Sequence, residues 1–237
     1  MRIRGLYKSY EVSGKNHPVL QNLNMEAEER GITVVLGRSG CGKTTLLRLI
    51  AGLEPMDAGG IEGAENGKIG IIFQEPRLMP WLTVEANILF GVGKAGRDRL
   101  PPLLALTGLL GFERAYPSQI SGGMQQRAAL ARALIYEPDF LLMDEPFAAL
   151  DYFTRKQMQK ELLEIHRAEK RGVLFVTHSI DEALTIGTKI VILEDGVCGK
   201  EYDLTSVSFP RDMLSHEMVE IKKDIISRIE EREDEKL

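Results

Sequence analysis

The glycine-rich segment Gly37–Thr44 has residue types and a spacing that could bind phosphate groups. It reads Gly37-Arg38-Ser39-Gly40-Cys41-Gly42-Lys43-Thr44 and fits G-x-x-x-x-G-K-[ST] at every fixed position. Glycines let the backbone wrap tightly, so that successive N–H groups point at phosphate oxygens, and a helix starting near Lys43 adds its positive dipole end. We expect Lys43 to reach the β- and γ-phosphates of a nucleotide and the Thr44 hydroxyl to ligate Mg²⁺. The segment therefore predicts a site for ATP and Mg²⁺.

A chance glycine-rich turn is the alternative interpretation of this segment. The apolar run Ile32–Leu36 predicts a buried strand directly before it. Thr44–Ala51 has a helical pattern directly after it, with Gly52 where a C-cap belongs. Strand, loop and helix in this order are the context that the motif requires, and they argue against chance. Cys41 fills a variable position, and a catalytic thiol there is disfavoured because no histidine lies nearby in the sequence.

Two adjacent carboxylates follow a second apolar run, Phe140–Met143. In parallel α/β sheets, ligand chemistry sits at the ends of such strands. Asp144 suits the Mg²⁺ shell, and Glu145 could polarise the attacking water as a general base. A strand end capped by solvated acids is the alternative, which the phosphate loop upstream makes the weaker one.

A second candidate anion site lies far along the chain, at Ser121–Gly123. Ser121 is a suitable N-cap for a helix over Gly122–Tyr136, and its hydroxyl, the bare glycine amides and the helix dipole could together hold a phosphate. One subunit already has one phosphate cradle, so a second makes sense if it caps the γ-phosphate held by a partner subunit. An ordinary N-capped helix is the alternative.

The segment Ile120–Arg127 resembles the signature of the ATP-binding subunits of ABC transporters, and further family elements follow in order between about residues 2 and 200. The resemblance implies that Tyr10 stacks on adenine, with Tyr7 as the rival, and that Thr45 joins Thr44 among the nucleotide-binding residues. It implies that Gln74 touches Mg²⁺ or the attacking water.

The resemblance also implies a mechanism. Asp151, in Ala149-Leu150-Asp151, would cross the interface of a dimer, and His178 would contact the γ-phosphate. The implied catalytic set is Glu145, His178, Gln74 and Lys43. The implied metal ligands are Thr44, Gln74 and Asp144.

The elements that must position these residues indicate an α/β fold. Ile69–Phe73, Phe140–Met143, Val173–Thr177 and Ile190–Leu193 read as buried strands between helices, which predicts a P-loop NTPase core with a mainly parallel sheet. Before them, the first thirty residues predict short antiparallel strands. About residues 76–137 predict an inserted α-helical subdomain. Together these form a single domain over 1–210, followed by a C-terminal amphipathic helical tail over 211–237 that ends in acidic residues.

Composition limits the possible functions. Apolar residues make up 43% of the chain and the formal net charge is −5, which argues against a dedicated DNA binder, and we expect no nucleic acid partner. Cys41 and Cys198 suit free thiols in a reducing compartment. The sequence shows no signal peptide and no run long enough to span a membrane, so a membrane role would need docking onto a spanning partner.

The run Phe73–Asn87, taken with the S-G-G-M of the signature, resembles the nitrate/sulfonate/taurine branch of bacterial import ATPases. That likeness implies a homodimer or paired ATPase subunit, integral membrane permease subunits and, indirectly, a solute-binding protein. It also implies a peripheral location at the cytoplasmic face of the inner membrane. Trp81 could lie at the permease docking groove or be a core or hinge residue. Service to an exporter, to DNA repair or to the ribosome is the alternative, and the substrate stays open.

Overall fold

The computed structural model describes residues 1–63 and 67–234, except for the side chains of Lys94 and of residues 231–234. Within those residues the strands form two sheets. The smaller is antiparallel, in the order β2-β1-β4, and the larger follows the order β5-β6-β7-β3-β8-β9. No helix in the described part of the chain is both long enough and apolar enough to cross a bilayer.

The antiparallel sheet opens with a hairpin of two long strands, β1 (Arg2–Val12) and β2 (Lys15–Glu26). They pair from Arg2↔Glu26 to Val12↔Lys15, and the turn residues Ser13 and Gly14 have φ angles of 52° and 73°. Two residues with positive φ form the turn whose twist suits a hairpin. The strands are longer than the short strands that we expected, because pairing continues through three register shifts.

The larger sheet contains the strands predicted from apolar runs. These are β3 (Ile32–Leu36), β5 (Ile69–Ile72), β6 (Phe140–Asp144), β7 (Gly172–Thr177) and β8 (Lys189–Glu194). All five run parallel, and β9 (Val197–Asp203) closes the edge in the antiparallel direction. The prediction of a mainly parallel sheet is confirmed.

Two apolar layers cover this sheet, one on each face. Along β3, Ile32, Val34 and Leu36 join one layer, whereas Val35 joins the other. Successive side chains of a strand point to opposite faces, so a strand that is covered on both sides is apolar at most positions. The one polar residue of β3, Thr33, accepts a hydrogen bond from the backbone N–H of Glu28. The antiparallel sheet and helix α1 (Lys43–Ile50) cover one face, and most of the other helices cover the second.

Two strands were not foreseen from the sequence. β4 (Ala58–Glu62) reads A-G-G-I-E and has no apolar alternation; it is held by pairing with β1, where Ile3 lies opposite Ile61. β9 alternates only weakly and is held by β8. Both lie at sheet edges, where pairing with a neighbour outweighs weak strand propensity.

The segment between β5 and β6 holds helices and no strand, as expected. They are α2 (Val84–Ile88), α3 (Leu100–Leu106) and α4 (Gly122–Leu134), with two 3₁₀ turns between them. Their apolar faces merge with the core layer that packs on the large sheet. The limits of the predicted insertion, about 76–137, and of the domain, 1–210, remain predictions.

The last three helices follow the strands of the large sheet. They are α5 (Tyr152–Glu169), α6 (Ile180–Ile186) and α7 (His216–Asp234). Met218 and Ile225 of α7 are fully buried, so the amphipathic tail predicted from the sequence covers the core with its apolar face. The predicted acidic end continues into residues 235–237, which lie outside the described residues.

Candidate active site

The candidate active site lies at the carboxyl edge of the large sheet. β3 pairs with β7 at Leu36↔Thr177, β7 with β6 at Val176↔Asp144, and β6 with β5 at Met143↔Ile72. The residues that directly follow these strands therefore meet along one edge. Parallel strand order alone brings Gly37, Glu145, His178 and Gln74 to the place where α/β folds bind ligands.

The phosphate loop has the backbone that its motif requires. Gly42, the N-cap of α1, has a φ of 105°, and a Cβ there would lie 2.7 Å from Leu20. A Cβ at Gly37 would lie 2.5 Å from the carbonyl oxygen of Leu193. Only glycine fits both places. Gly52 has a φ of 65° and closes the far end of α1, as the sequence predicted.

Lys43 is folded into this loop. Its Nζ donates to the carbonyl oxygens of Gly37 and Arg38, at 2.8 Å each, and lies 3.7 Å from Oε1 of Glu145. The side chain is only 5% exposed. The ammonium is therefore largely removed from solvent, and two backbone carbonyl oxygens of the phosphate loop hydrogen-bond to it.

Cys41 is a free thiol, and so is Cys198. Burial, the largest cause, raises the pKa of Cys41, while the nearby Lys43 charge opposes it. Burial also raises the pKa of Cys198, to about 12. Both thiols stay protonated at neutral pH, which disfavours a nucleophilic role for Cys41.

Glu145 connects the phosphate loop to His178, which directly follows β7. Its Oε2 accepts a hydrogen bond from Nδ1 of His178 at 2.7 Å, while Oε1 faces Lys43. Glu145 has a φ of 44°, a left-handed backbone conformation that is uncommon for a non-glycine residue. Such backbone strain occurs at active sites, where it aims a side chain.

Asp144 lies beside Thr44, whose Oγ1 donates to Oδ1 of Asp144 at 3.2 Å. Burial, the largest cause, raises the pKa of Asp144, and the charge of Glu145 adds to it; the bond from Thr44 opposes the shift. Two of the three predicted metal ligands, Thr44 and Asp144, are thus in contact. Gln74 is exposed just past β5 and makes no hydrogen bond with Lys43 or Glu145 in the described structure.

Tyr10 lies near the helix that follows the phosphate loop. Its phenol donates to Glu54, and the Nζ of Lys8 lies 5.2 Å from its ring centroid. Burial and then the bond to Glu54 raise the pKa of Tyr10, while the nearby hydroxyl of Thr45 in α1 lowers it. The contact with Thr45 places Tyr10 next to the loop; Tyr7 is 43% exposed.

The second candidate cradle has the predicted cap. Ser121 is the N-cap of α4, and its Oγ accepts a hydrogen bond from the backbone N–H of Met124 at 3.3 Å. A Cβ on Gly122 would meet nothing within 4 Å, whereas one on Gly123 would lie 2.8 Å from Cγ2 of Thr154. Nothing within the described chain therefore requires a glycine at position 122.

Asp151 caps α5. Its Oδ1 accepts from the backbone N–H groups of Phe153 and Thr154 at 3.0 and 3.1 Å, and Oδ2 accepts from the Thr154 hydroxyl at 2.6 Å. The Thr154 hydroxyl bond, the largest cause, lowers the pKa of Asp151. The carboxylate is thus engaged in its own chain, and the side chain is exposed.

Sequence reasoning gave no role to Arg132 of α4. Its guanidinium donates to the carbonyl oxygens of Pro76 and Arg77, at 2.8 Å each. This clamp ties the helix of the second cradle to the segment that follows Gln74. An arginine inside a helix gives no such signal in a single sequence, because its acceptors lie far away in the chain.

A cavity of about 390 Å³ opens on the other side of the phosphate loop, against α7. Its walls are Gly37–Cys41, the end of β8 and, from α7, Arg228 and Ile229. None of the catalytic candidates lines it. The cavity therefore flanks the site rather than containing its chemistry.

Residues 20–148 match the family model described as ABC transporter. The chain is 42% identical to an uncharacterized ABC transporter ATP-binding protein of Methanocaldococcus jannaschii, over 96% of this chain and 90% of that protein. It is 40% identical to the aliphatic sulfonates import ATP-binding protein of Bacillus subtilis, over 96% of this chain and 93% of that protein.

Two solved structures of ATP-binding cassettes have the same fold as this chain. A dimeric ATP-binding cassette in a post-hydrolysis state with ADP and Pi superposes with a TM-score of 0.74 at 30% identity, covering 86% of this chain and 98% of that one. A second dimeric structure, described as a bacterial ABC transporter cassette, gives a TM-score of 0.76 at the same identity and coverage. The predicted fold, a P-loop core with an antiparallel β-subdomain and an inserted helical subdomain, is confirmed. This chain therefore belongs to the ABC transporter family, as one of its ATP-hydrolysing cassettes.

Proposed function

We propose that this chain is the ATP-hydrolysing subunit of an importer for sulfonates, including taurine, or for nitrate. Relatives that match it over most of its length at about 40% identity are aliphatic sulfonates import ATP-binding proteins. Their names favour import over the exporter, DNA-repair and ribosome alternatives. In this function the chain docks on membrane-spanning permease subunits at the cytoplasmic face of the membrane, and a solute-binding protein delivers the cargo to those subunits.

The observation that carries the catalytic part is the meeting of Lys43, Glu145 and His178 at the phosphate loop. The Lys43 ammonium lies 3.7 Å from one carboxylate oxygen of Glu145, and the other oxygen bonds the His178 imidazole at 2.7 Å. A cation, a base and a hydrogen-bonding group beside a phosphate cradle are the parts that phosphoryl transfer to water needs.

ATP binding falls to the loop and its neighbours. The amides of Gly37–Thr44 and the Lys43 ammonium hold the phosphates, and Thr45 lies beside them on α1. Tyr10 is the better candidate for adenine stacking, since it contacts Thr45. The choice over Tyr7 rests on that contact.

The donor set at Thr44 and Asp144 fits Mg²⁺. A hydroxyl and a carboxylate oxygen 3.2 Å apart are hard oxygen ligands, and Mg²⁺ is usually held by one or two carboxylates plus substrate phosphates. No group of three or more His, Cys, Asp or Glu side chains in the described residues could hold a metal without such phosphates. When bound, Mg²⁺ would neutralise charge on the β- and γ-phosphates, with Gln74 as a further oxygen ligand.

Glu145 acts as the general base in this proposal. It accepts a proton from the attacking water, and its strained backbone directs the carboxylate toward the loop. His178 holds Oε2 of Glu145 and contacts the γ-phosphate, and Lys43 stabilises the charge that develops there. Gln74, at the neighbouring strand end, orients the water.

A second copy completes each site. Ser121 and Gly122 are exposed at a capped helix start, and the position of Gly122 is open to an incoming group. We assign that group to the γ-phosphate held by the partner, with Asp151 at the same interface. Closure of the pair excludes water from the site, and hydrolysis reopens it.

The surface around Trp81 is the proposed permease dock. Trp81 is 72% exposed and Phe90 is 51% exposed, so the core alternative for Trp81 is wrong. The Arg132 clamp connects this part of the chain to the cradle at Ser121. Movement at the dock and movement at the second cradle are thereby linked.

Reconstitution tests the function as a whole. The chain is co-expressed with its permease subunits, placed in vesicles with the solute-binding protein, and supplied with labelled alkanesulfonate, taurine or nitrate. We expect ATP-dependent uptake that Glu145→Gln abolishes. Outward movement of solute, or ATP hydrolysis that no member of this oxyanion set stimulates, would overturn the proposal.

A further inference from the structure

Three side chains outside the phosphate-binding set connect two loops of the site. One loop runs from Glu145 to Asp151, and the other is the turn around His178. Arg155 on α5, Glu182 on α6 and Thr177 at the end of β7 form the connection.

Thr177 and Glu182 fix the turn on both sides of His178. The Thr177 hydroxyl donates to Oε2 of Glu182 at 2.6 Å and accepts from the backbone N–H of Ser179 at 3.0 Å. Oγ of Ser179 in turn accepts from the backbone N–H of Glu182 at 3.3 Å. In an ordinary capping box the glutamate bonds the N-cap amide directly. Here the Thr177 hydroxyl bridges the Glu182 carboxylate and the backbone N–H of Ser179. The two residues on either side of His178 are therefore bonded to each other.

Arg155 connects this turn to the other loop. Its Nη2 donates to the carbonyl oxygen of Leu150 at 2.9 Å, and its Nε lies 3.8 Å from Oε1 of Glu182. Leu150 directly precedes Asp151, the residue assigned to the partner interface. The Arg155 guanidinium therefore hydrogen-bonds the end of one loop and forms an ion pair with the glutamate that anchors the other, while its buried Nε makes no hydrogen bond within the described residues.

Burial makes this arrangement specific. The Glu182 side chain is 6% exposed, and a buried carboxylate needs both a hydrogen bond and a counter-charge. Thr177 supplies the first and Arg155 the second. If Thr177 or Arg155 moves, Glu182 loses its hydrogen bond or its counter-charge. The two loops therefore have one preferred position relative to each other.

We propose that Arg155, Glu182 and Thr177 are positioning residues that make the Glu145–Asp151 loop and His178 move as one unit. This inference rests on the proposed function, in which His178 contacts the γ-phosphate and Asp151 meets the partner. A misplacement of about 1 Å can cost about 100-fold in rate. None of the three residues contacts the Lys43 ammonium, so we expect the phosphate loop to keep its hold on the nucleotide.

The direct test is Thr177→Val, which keeps the shape and removes the hydroxyl. We expect kcat for ATP to fall about 10- to 100-fold with KM within about twofold, whereas Thr177→Ser restores the rate. Thr185→Val is the matched control, because Thr185 donates to the Asp181 carbonyl on the same helix and away from His178. Unchanged kcat in Thr177→Val, or no rescue by serine, would refute the inference.

Arg155→Gln provides a second route that avoids a buried position, since the Arg155 side chain is 34% exposed. It should lower kcat in the same way with KM unchanged, and Arg155→Lys should lower it less. A rise in KM with unchanged kcat would contradict the positioning role.

A double-mutant cycle separates positioning from general damage. If Thr177 acts through His178, Thr177→Val has no further effect on the residual rate of His178→Ala. Equal fold losses in both backgrounds would mean that Thr177 acts elsewhere, and would refute this inference alone. A parental rate for His178→Ala would instead overturn the proposed function.

Discussion

Replacing Glu145 by glutamine tests the catalytic assignment most sharply. The amide keeps the size of the carboxylate but cannot take a proton from water. General-base catalysis contributes about 10²- to 10⁴-fold, so we expect kcat to fall by that factor, which is about 3 to 5 kcal/mol in activation free energy.

The structure also gives the sign of the effect on binding. Glu145 Oε1 lies 3.7 Å from the Lys43 ammonium. Two unit charges at about that distance attract by about 4 kcal/mol at an effective dielectric constant of 20. Removing the carboxylate frees Lys43 for the phosphates and removes a negative charge beside them. ATP affinity should therefore stay the same or rise, and the ATP-bound protein should accumulate as a dimer.

The assay is phosphate release with ATP in excess, paired with calorimetric ATP binding and sedimentation. Glu137→Gln is the matched control, because that carboxylate pairs with Arg99 at 3.2 Å on the outer surface. The control should hydrolyse ATP at the parental rate. If Glu145→Gln also turned over within about threefold of the parent, Glu145 would not be the base.

Three further predictions concern binding and stability. Lys43→Ala should lose ATP affinity in calorimetry, and unchanged affinity would contradict its assignment. Burial raises the pKa of Asp144, so its charged form costs stability above that pKa and the cost disappears as pH falls through it. Asp144→Asn should therefore raise the nucleotide-free melting temperature at neutral pH, by less as pH falls, and weaken Mg·ATP binding; a lower melting temperature would contradict this. Ile225→Ala, at a fully buried position of α7, should cost about 2–4 kcal/mol in urea unfolding with kcat preserved, and a loss under 1 kcal/mol would argue against a covering role for the tail.

Much of this fold could be predicted because its signals are local. The phosphate loop carries a complete motif, and strands such as Phe140–Asp144 are apolar runs because both faces are buried. Once strands and helices alternate, a parallel sheet follows, and its carboxyl edge collects the residues after each strand. That reasoning placed Asp144 and Glu145 beside the phosphate loop, and the family resemblance added His178.

The parts that were missed depend on partners distant in the chain. β4 exists because β1 offers an edge, and its A-G-G-I-E sequence has no strand pattern of its own. The positive φ of Glu145 is set by the surrounding loop, and a glutamate gives no sign of it. Arg155 and Glu182 meet only after α5 and α6 pack together. A threonine at the end of a strand likewise gives no sign that its hydroxyl will join Ser179 to Glu182.

The central claim is that each ATP is held by two copies, and mixing two defective variants measures it directly. Lys43→Ala removes one cradle and Ser121→Arg blocks the other, so each variant alone should be inactive. A 1:1 mixture should recover up to about a quarter of the parental hydrolysis, since half of the pairs are mixed and one of the two sites in each is intact. A mixture of folded variants that stays as inactive as its components would contradict the account.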